Sequence, residues 1–295
     1  MKKYLIKICF IALLMPAIFV SCNKDLDRFP TNSLTSEKVY KDLAGYKEVL
    51  AKVYAAYGLT SSKGADFTDL AGIDVGTSDF LRLFWNHQEL TTGEAICAWN
   101  DPGVPDFHNL SWSPDNLMVT GLYNRCFYQI SLCNEFIRQS SDDNLSTRGI
   151  GGADADIIRQ YKAEARFIRA FQYWVLMDLY ANPPFVTEAD PIGKYFPKQT
   201  TRAALFSYVE SELLDLEGKM VAPHANEYGR ADQSAAWALL ARLYLNAGVY
   251  TGTDQYTEAI KYSRRVIDAG FTLHPTYRNL FLADNNLNNP EIILP

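Results

Sequence analysis

The sequence predicts a mainly α-helical protein of tetratricopeptide-like hairpins interrupted by one long irregular segment. Three observations carry this. Apolar residues recur at threes and fours through most of the chain, which is the helical period. Trp237, Leu240, Ala241 and Tyr244 reproduce the W-x2-L-[G/A]-x2-Y spacing of a tetratricopeptide first helix, with Ala259 opening the second-helix packing position. Stretches that alternate with a period of two are sparse.

From the N-terminus, Lys2, Lys3 and Lys7 precede an apolar run, Ile8 to Val20, broken only by Pro16. The run is shorter than the roughly 20 residues a membrane-spanning helix needs and suits the apolar region of a secretory signal. Phe19, Val20 and Ser21 before Cys22 look like a lipobox, with Phe19 where leucine is commoner. Residues 1–21 are therefore expected to be a lipoprotein signal peptide, with acylation of Cys22 as the membrane anchor. The alternative is a cysteine that merely follows a cleaved signal. Cleavage leaves 295 − 21 = 274 residues, and losing the three lysines takes the formal charge from −6 to −9.

Helical periodicity spans Thr35 to Leu59, with Gly58 as a stop. A second helix is expected to open at Ser113, with Pro114 in its first turn, and to run to about Gln139. "ADADIIRQYKAEARFIRAFQYWVLMDLYANPP" predicts a long third helix ended by Pro183 and Pro184. It is apolar nearly all round from Phe167 to Met177, with Arg166, Arg169 and Gln172 as one narrow polar stripe, so it should be packed on several sides. A fourth helix is expected over Thr201 to Met220, and a hairpin over "ADQSAAWALLARLYLNAGVY" and "DQYTEAIKYSRRVIDAG". "PPFVTE" and "PEIILP" are short extended candidates.

Composition narrows the function. Hydrophobic residues at 48% and charged residues at 21% indicate an ordered globular chain, and the acidic balance without a dense Lys/Arg run argues against nucleic acid. Cys97, Cys126 and Cys133 are too few for a disulfide framework. Cys126 and Cys133 would lie ~10 Å apart along one helix and cannot bridge, so buried free thiols are expected. The four histidines lack the spacing of a zinc site, and no cofactor motif is present.

Thr60 to Trp112 has little periodicity and six large aromatics: Phe80, Phe84, Trp85, Trp99, Phe107 and Trp112. Long irregular segments in a compact domain usually serve function, and this one is too aromatic for disorder. In "CAWNDPGVPDFHNLSW" a tryptophan face beside Asn100, Asp101 and Asp106 suits a sugar, whose C–H groups pack on the ring while polar side chains take the hydroxyls. The alternative is that the tryptophans simply fasten the segment to the helices. Glu89, Glu94, Asp101 and Asp106 could supply a glycosidase pair, but nothing in their spacing singles out an acid and a nucleophile.

Taken together, several stretches resemble the SusD/RagB family of outer-membrane nutrient-uptake lipoproteins: "CNKDLDRFPTNSLTSEKVYKDLAGYKEVLAKVYAAY", "LYNRCFYQISLCNEFI", "YKAEARFIRAFQYWVLMDLYANPPFVTE", "GRADQSAAWALLARLYLNAGVY" and "YRNLFLADNNLNNPEIIL". "ELTTGEAICAWNDPG" is similar to the loop near the ligand in glycan-binding relatives. The resemblance implies a helical scaffold with binding loops, and a lipid-anchored lid at the outside of the outer membrane on a SusC-like TonB-dependent transporter. It implies a non-catalytic glycan-binding role, with sugar contacts at Trp99, Asn100 and Asp101. A lid with little glycan affinity or with a peptide ligand is the second expectation, and a secreted glycoside hydrolase the third. Family members are longer, so 22–295 is expected to be the N-terminal part of a SusD-like domain.

Overall fold

The long apolar helix is where the packing converges. In the computed structural model, residues 35–193, 195–287 and 289–295 are described; the signal segment and Cys22 lie outside them. Met1–Val39 and Tyr40–Pro295 are two units. Helix α1, Ser36–Val39, belongs to the first. The second holds α2 (Leu43–Gly58), α3 (Phe80–Glu89), α4 (Val104–His108), α5 (Leu117–Gln139), α6 (Asp142–Thr147), α7 (Gly152–Tyr180), α8 (Arg202–Leu216), α9 (Gln233–Leu245), α10 (Ala247–Thr251) and α11 (Tyr256–Asp268).

Helix α7 packs against α2, α5, α8 and α9. Ile168, Ala170, Tyr173, Val175, Leu176 and Met177 are all fully buried along it. A helix enclosed on so many sides cannot turn its polar residues to water, so each must find a partner in the protein. Arg169 donates to Asn134 Oδ1 at 2.8 Å and pairs with Glu188 and Glu212. Burial alone would push the Glu188 carboxyl up, but Arg169 outweighs it and holds the group below its ordinary value. Gln172 donates to Gln129 Oε1 at 2.7 Å, and Gln129 donates to the Val53 carbonyl at 2.9 Å. The polar stripe of α7 is thus an interhelical network rather than a solvent face.

The closing hairpin follows the repeat logic. Leu240 and Tyr244 on α9 and Ala259 and Tyr262 on α11 are buried, and the Tyr244 and Tyr262 rings stack at 5.6 Å. Small Ala259 lets the helices approach while the large rings fill the groove. The connection holds one extra turn, α10, ended by Gly252 at φ 80°.

Three expectations are corrected. The first predicted helix is broken between Val39 and Leu43, because Asp42 adopts extended backbone and accepts the Gly45 N–H at 2.9 Å as the cap of α2. Helix α5 opens at Leu117, not at Ser113: Ser113 closes a turn onto the Asn116 N–H, and Asn116 is the cap, accepting from Met118 and Val119. Neither extended candidate forms a strand among the described residues. Pro184 and Gln199 make one isolated antiparallel bridge, and proline, lacking an N–H, cannot extend it into a ladder.

Candidate ligand-binding surface

The segment expected to be irregular is held by four sets of ties, and it contains two α-helices, α3 and α4, and a 3-10 turn at Val75–Thr77. Arg125 of α5, fully buried, donates through Nε and Nη2 to the Ser78 carbonyl at 2.8 and 2.5 Å and through Nη2 to the Thr60 carbonyl at 3.2 Å. One guanidinium therefore pins both ends of residues 60–78 to the same helix. Asp79 then caps α3, accepting the Arg82 N–H at 2.8 Å. Phe80 and Phe84 stack at 5.4 Å and both meet Phe171 of α7. With that face of α3 committed to the core, Leu81, Arg82 and Trp85 are left on the outside.

The third tie is Asn116. Its Nδ2 donates to the Gly103 carbonyl at 3.0 Å and to Asp106 Oδ2 at 2.8 Å, while its Oδ1 caps α5. Gly103 sits at φ 92°, and a Cβ there would lie 2.9 Å from Asn116 Oδ1, so glycine is required for conformation and for space. The fourth is His108, whose Nε2 accepts the Cys97 N–H at 3.2 Å and joins α4 to the loop bearing Trp99.

These ties sort the six aromatics. Phe80 and Phe107 are buried and Phe84 half-buried, whereas Trp85, Trp99 and Trp112 remain 48%, 64% and 46% exposed. The fastening role weighed for the tryptophans falls to the phenylalanines. Trp99 carries the Arg82 guanidinium over its ring, 5.9 Å from the centroid. Arg82, Trp85, Cys97, Trp99 and Asp101 line a cleft of about 220 Å³, floored by Thr77, Asn86, Val104 and Met118. Asn100 is exposed beside it and does not line it. Asp106, expected to face hydroxyls, is taken by Asn116. Arg82 and Trp85 are the residues that sequence reasoning missed as site members. Asp79 as a cap, with Phe80, Leu83, Phe84 and His87 at helical spacing, was the available signal.

Beneath the surface, the His87 ring lies 4.8 Å from Phe107 and bonds the Leu83 carbonyl through Nδ1 at 2.7 Å. Because a carbonyl only accepts, Nδ1 carries the proton, and Nε2 is left buried without a partner. Burial, outweighing that bond, pushes the His87 pKa down. Cys126 and Cys133 are buried free thiols, and burial raises Cys133 to about 12. Among the described residues no His/Cys/Asp/Glu group could hold a metal ion, and no helix is long and apolar enough to cross a membrane.

A larger cleft, about 830 Å³, is lined chiefly by apolar side chains of α2, α3 and α7, among them Leu50, Tyr57, Phe84 and Phe171. Lys47, Tyr54, Glu227 and Arg230 also line it. The smaller cleft, with aromatic faces beside polar groups, has the chemistry a sugar requires.

Comparison with known proteins identifies the family. A SusD-like family model, described as starch-binding associating with outer membrane, matches residues 84–245, more than half of the chain. The chain is 38% identical over 298 residues to the starch-binding protein SusD of Bacteroides thetaiotaomicron, an alignment covering 99% of this chain and 51% of that one. It is 25% identical to the SusD-like protein P2 of Formosa agariphila, over 99% of this chain and 52% of that one. The chain thus spans about half the length of the curated relatives it matches. Among solved structures, a SusD-like carbohydrate-binding protein from Bacteroides fragilis superposes with a TM-score of 0.66 at 19% identity, covering 88% of this chain and 47% of that one. A laminarin-binding SusD-like protein gives 0.63 at 19% identity, covering 85% and 50%. The family description and the name of the first of these relatives both specify starch binding. By sequence and by its mainly helical fold, the chain belongs to the SusD-like family.

Proposed function

We propose that this chain is the N-terminal part of a lipid-anchored, outward-facing outer-membrane protein that captures oligosaccharide, without cleaving it, and passes it to a SusC-like TonB-dependent transporter. One observation carries the sugar reading: three tryptophans of residues 60–112 remain exposed while the phenylalanines of the same segment anchor it. Exposing an indole forgoes burial worth about 1.5–3 kcal/mol for a large side chain, so a tryptophan left outside a well-packed scaffold is available to a ligand. Trp99 supplies the stacking face, with Arg82 held over its ring. Asp101 takes hydroxyls within the cleft, and Asn100 takes them at its edge. A glucan is the first class to test, since the family description and the name of the 38%-identical relative both specify starch.

Residues 1–21 act as the signal peptide and acylated Cys22 as the tether, leaving 22–295 as the body. Affinity electrophoresis through soluble starch, laminarin and unrelated glycans tests capture, and no retardation by any of them counts against it. Fractionation tests the tether: a Cys22→Ser chain is expected to leave the outer membrane, and its retention there would remove the anchor. The apolar cleft of about 830 Å³ favours a second reading, a lid whose principal surface meets protein. Co-purification of the transporter with no measurable glycan binding would select it.

A further inference from the structure

The loop that carries Trp99 is fastened at a single polar point. Among the described residues, 95–100 make one hydrogen bond, from the Cys97 N–H to His108 Nε2 at 3.2 Å. Burial adds little, since Ile96 and Trp99 are 81% and 64% exposed and no residue of the loop is fully buried. The Arg82 guanidinium over the Trp99 ring is a further contact, and such contacts are weak at exposed sites. His108, by contrast, stands on a fixed base. It ends α4, whose Val104 and Phe107 are buried and whose Asp106 is held, with the Gly103 carbonyl before it, by Asn116.

A backbone N–H only donates, so His108 Nε2 accepts, the ring is neutral and its proton sits on Nδ1. A second proton would turn Nε2 into a donor aimed at another donor, and the tie would be lost. Imidazole is the side chain that ordinarily gains a proton between about pH 8 and 5, so the loop hangs on a group that can be switched in that range. Among the described residues His108 joins no ion pair. The other groups able to carry charge on the elements around it are Asp106 on α4, committed to Asn116, Glu94, Cys97 and Asp101 on the loop and its continuation, and Arg82, His87 and Glu89 on α3. Arginine does not titrate in this range, so the Arg82 contact with Trp99 is not the switch.

We infer that His108 is a positioning residue for the proposed sugar site, and that its protonation releases the Trp99 loop and weakens glycan capture. This rests on the reading of Trp99 as the stacking face. An aromatic platform that must be ordered at the moment of binding costs affinity, so the tie matters although His108 itself need not touch the ligand.

The test titrates maltoheptaose calorimetrically into the full chain at about pH 8 and about pH 5, as wild type, His108→Gln and His108→Leu, with thermal melts to confirm folding under both conditions. Glutamine places a neutral amide oxygen where Nε2 stood and accepts at either pH, whereas leucine accepts at neither. Wild type is expected to match His108→Gln at the higher pH and His108→Leu at the lower, a relative fall of about 3- to 10-fold, the worth of one hydrogen bond. Protonation of every other group is common to the three proteins and cancels in the comparison. Equal pH profiles for wild type and His108→Gln would overturn the inference, and so would a His108→Leu protein that binds like wild type at the higher pH. Should His108→Leu not fold, wild type against His108→Gln still decides. If wild type binds no glucan, the sugar reading fails, and the Trp99 indole N–H resonance, assigned by its absence in Trp99→Phe, decides the positioning role alone. That resonance should move with pH in wild type more than in His108→Gln, and equal movement in the two overturns the role.

Discussion

Replacing Trp99 by alanine removes a side chain that the fold hardly uses and the proposed ligand uses most. An indole offers up to about 250 Å² of surface, and at 64% exposure roughly 150 Å² of it is open to water. A sugar ring lying on one face would cover about half of that, about 75 Å². At about 25 cal/mol per Å² this is about 2 kcal/mol, or about 30-fold in affinity. The cost to the fold is the Arg82 contact, about 0.5–1 kcal/mol at an exposed site, and so a melting shift of only about 1–4 °C. Titration of maltooligosaccharide into wild type and Trp99→Ala, with both melts recorded, separates the two effects. Trp99→Phe should fall between them, because a smaller ring retains part of the face. An affinity loss under about 3-fold in a folded Trp99→Ala protein would refute the stacking geometry; loss confined to Trp85→Ala or Trp112→Ala would move the sugar to another ring.

Two further predictions concern the scaffold. Glu164, 2% exposed, accepts from Tyr54 at 2.6 Å and from Arg230 through both Nε and Nη2, so Arg230→Met leaves a buried carboxylate without its cation. The expected loss is about 3–5 kcal/mol by urea melts, with an Arg230→Met/Glu164→Leu double variant recovering part of it; equal loss in the single and double variants would refute the pairing argument. For His87 the folded pKa lies below the ordinary 6.5, so the unfolded chain takes the proton first as pH falls. Stability should therefore be flat above about pH 7.5 and decline below about 6.5, by at most about 1.4 kcal/mol per pH unit, until the depressed folded pKa is reached. His87→Gln should lack this component, and parallel pH–stability profiles for the two proteins would contradict it.

Why some of this was legible follows from the range of the forces involved. The α7 segment announces itself because Phe167 to Met177 has almost no polar face, and the α9–α11 hairpin because Trp237, Leu240, Ala241, Tyr244 and Ala259 encode a close approach in residue size alone. Both signals are local. Helix α3 was missed because Phe80 and Phe84 are justified by rings on other helices, Tyr57 of α2 and Phe171 and Trp174 of α7. The capture of Asp106 by Asn116 likewise depends on the left-handed turn at Gly103. Trp99 and Asp101 were named from composition and do share a cleft, yet that reading could not say which aromatics stay outside. Among the described residues the strand expected at PPFVTE stops at the single Pro184–Gln199 bridge, because Pro183 and Pro184 were read as helix stops but not as ladder breakers.

The same ties bear on how an irregular segment could serve the proposed ligand. A sugar gives up little water per contact, so a loop that had to order itself on binding would spend most of the small gain on its own entropy. Here the ordering is done beforehand. Arg125 fixes both ends of residues 60–78, Phe80 and Phe84 lock α3, Asn116 joins α4 to α5, and His108 holds the loop of Trp99. Among these groups Arg125, Phe80 and Asn116 are buried, whereas Trp85, Trp99 and Trp112 are exposed. Substitution of the exposed residues should therefore change affinity with little effect on the fold, whereas substitution of Arg125 or Asn116 should loosen the whole surface at once. In this arrangement the proposed ligand face is free to vary while the groups that shape it are not.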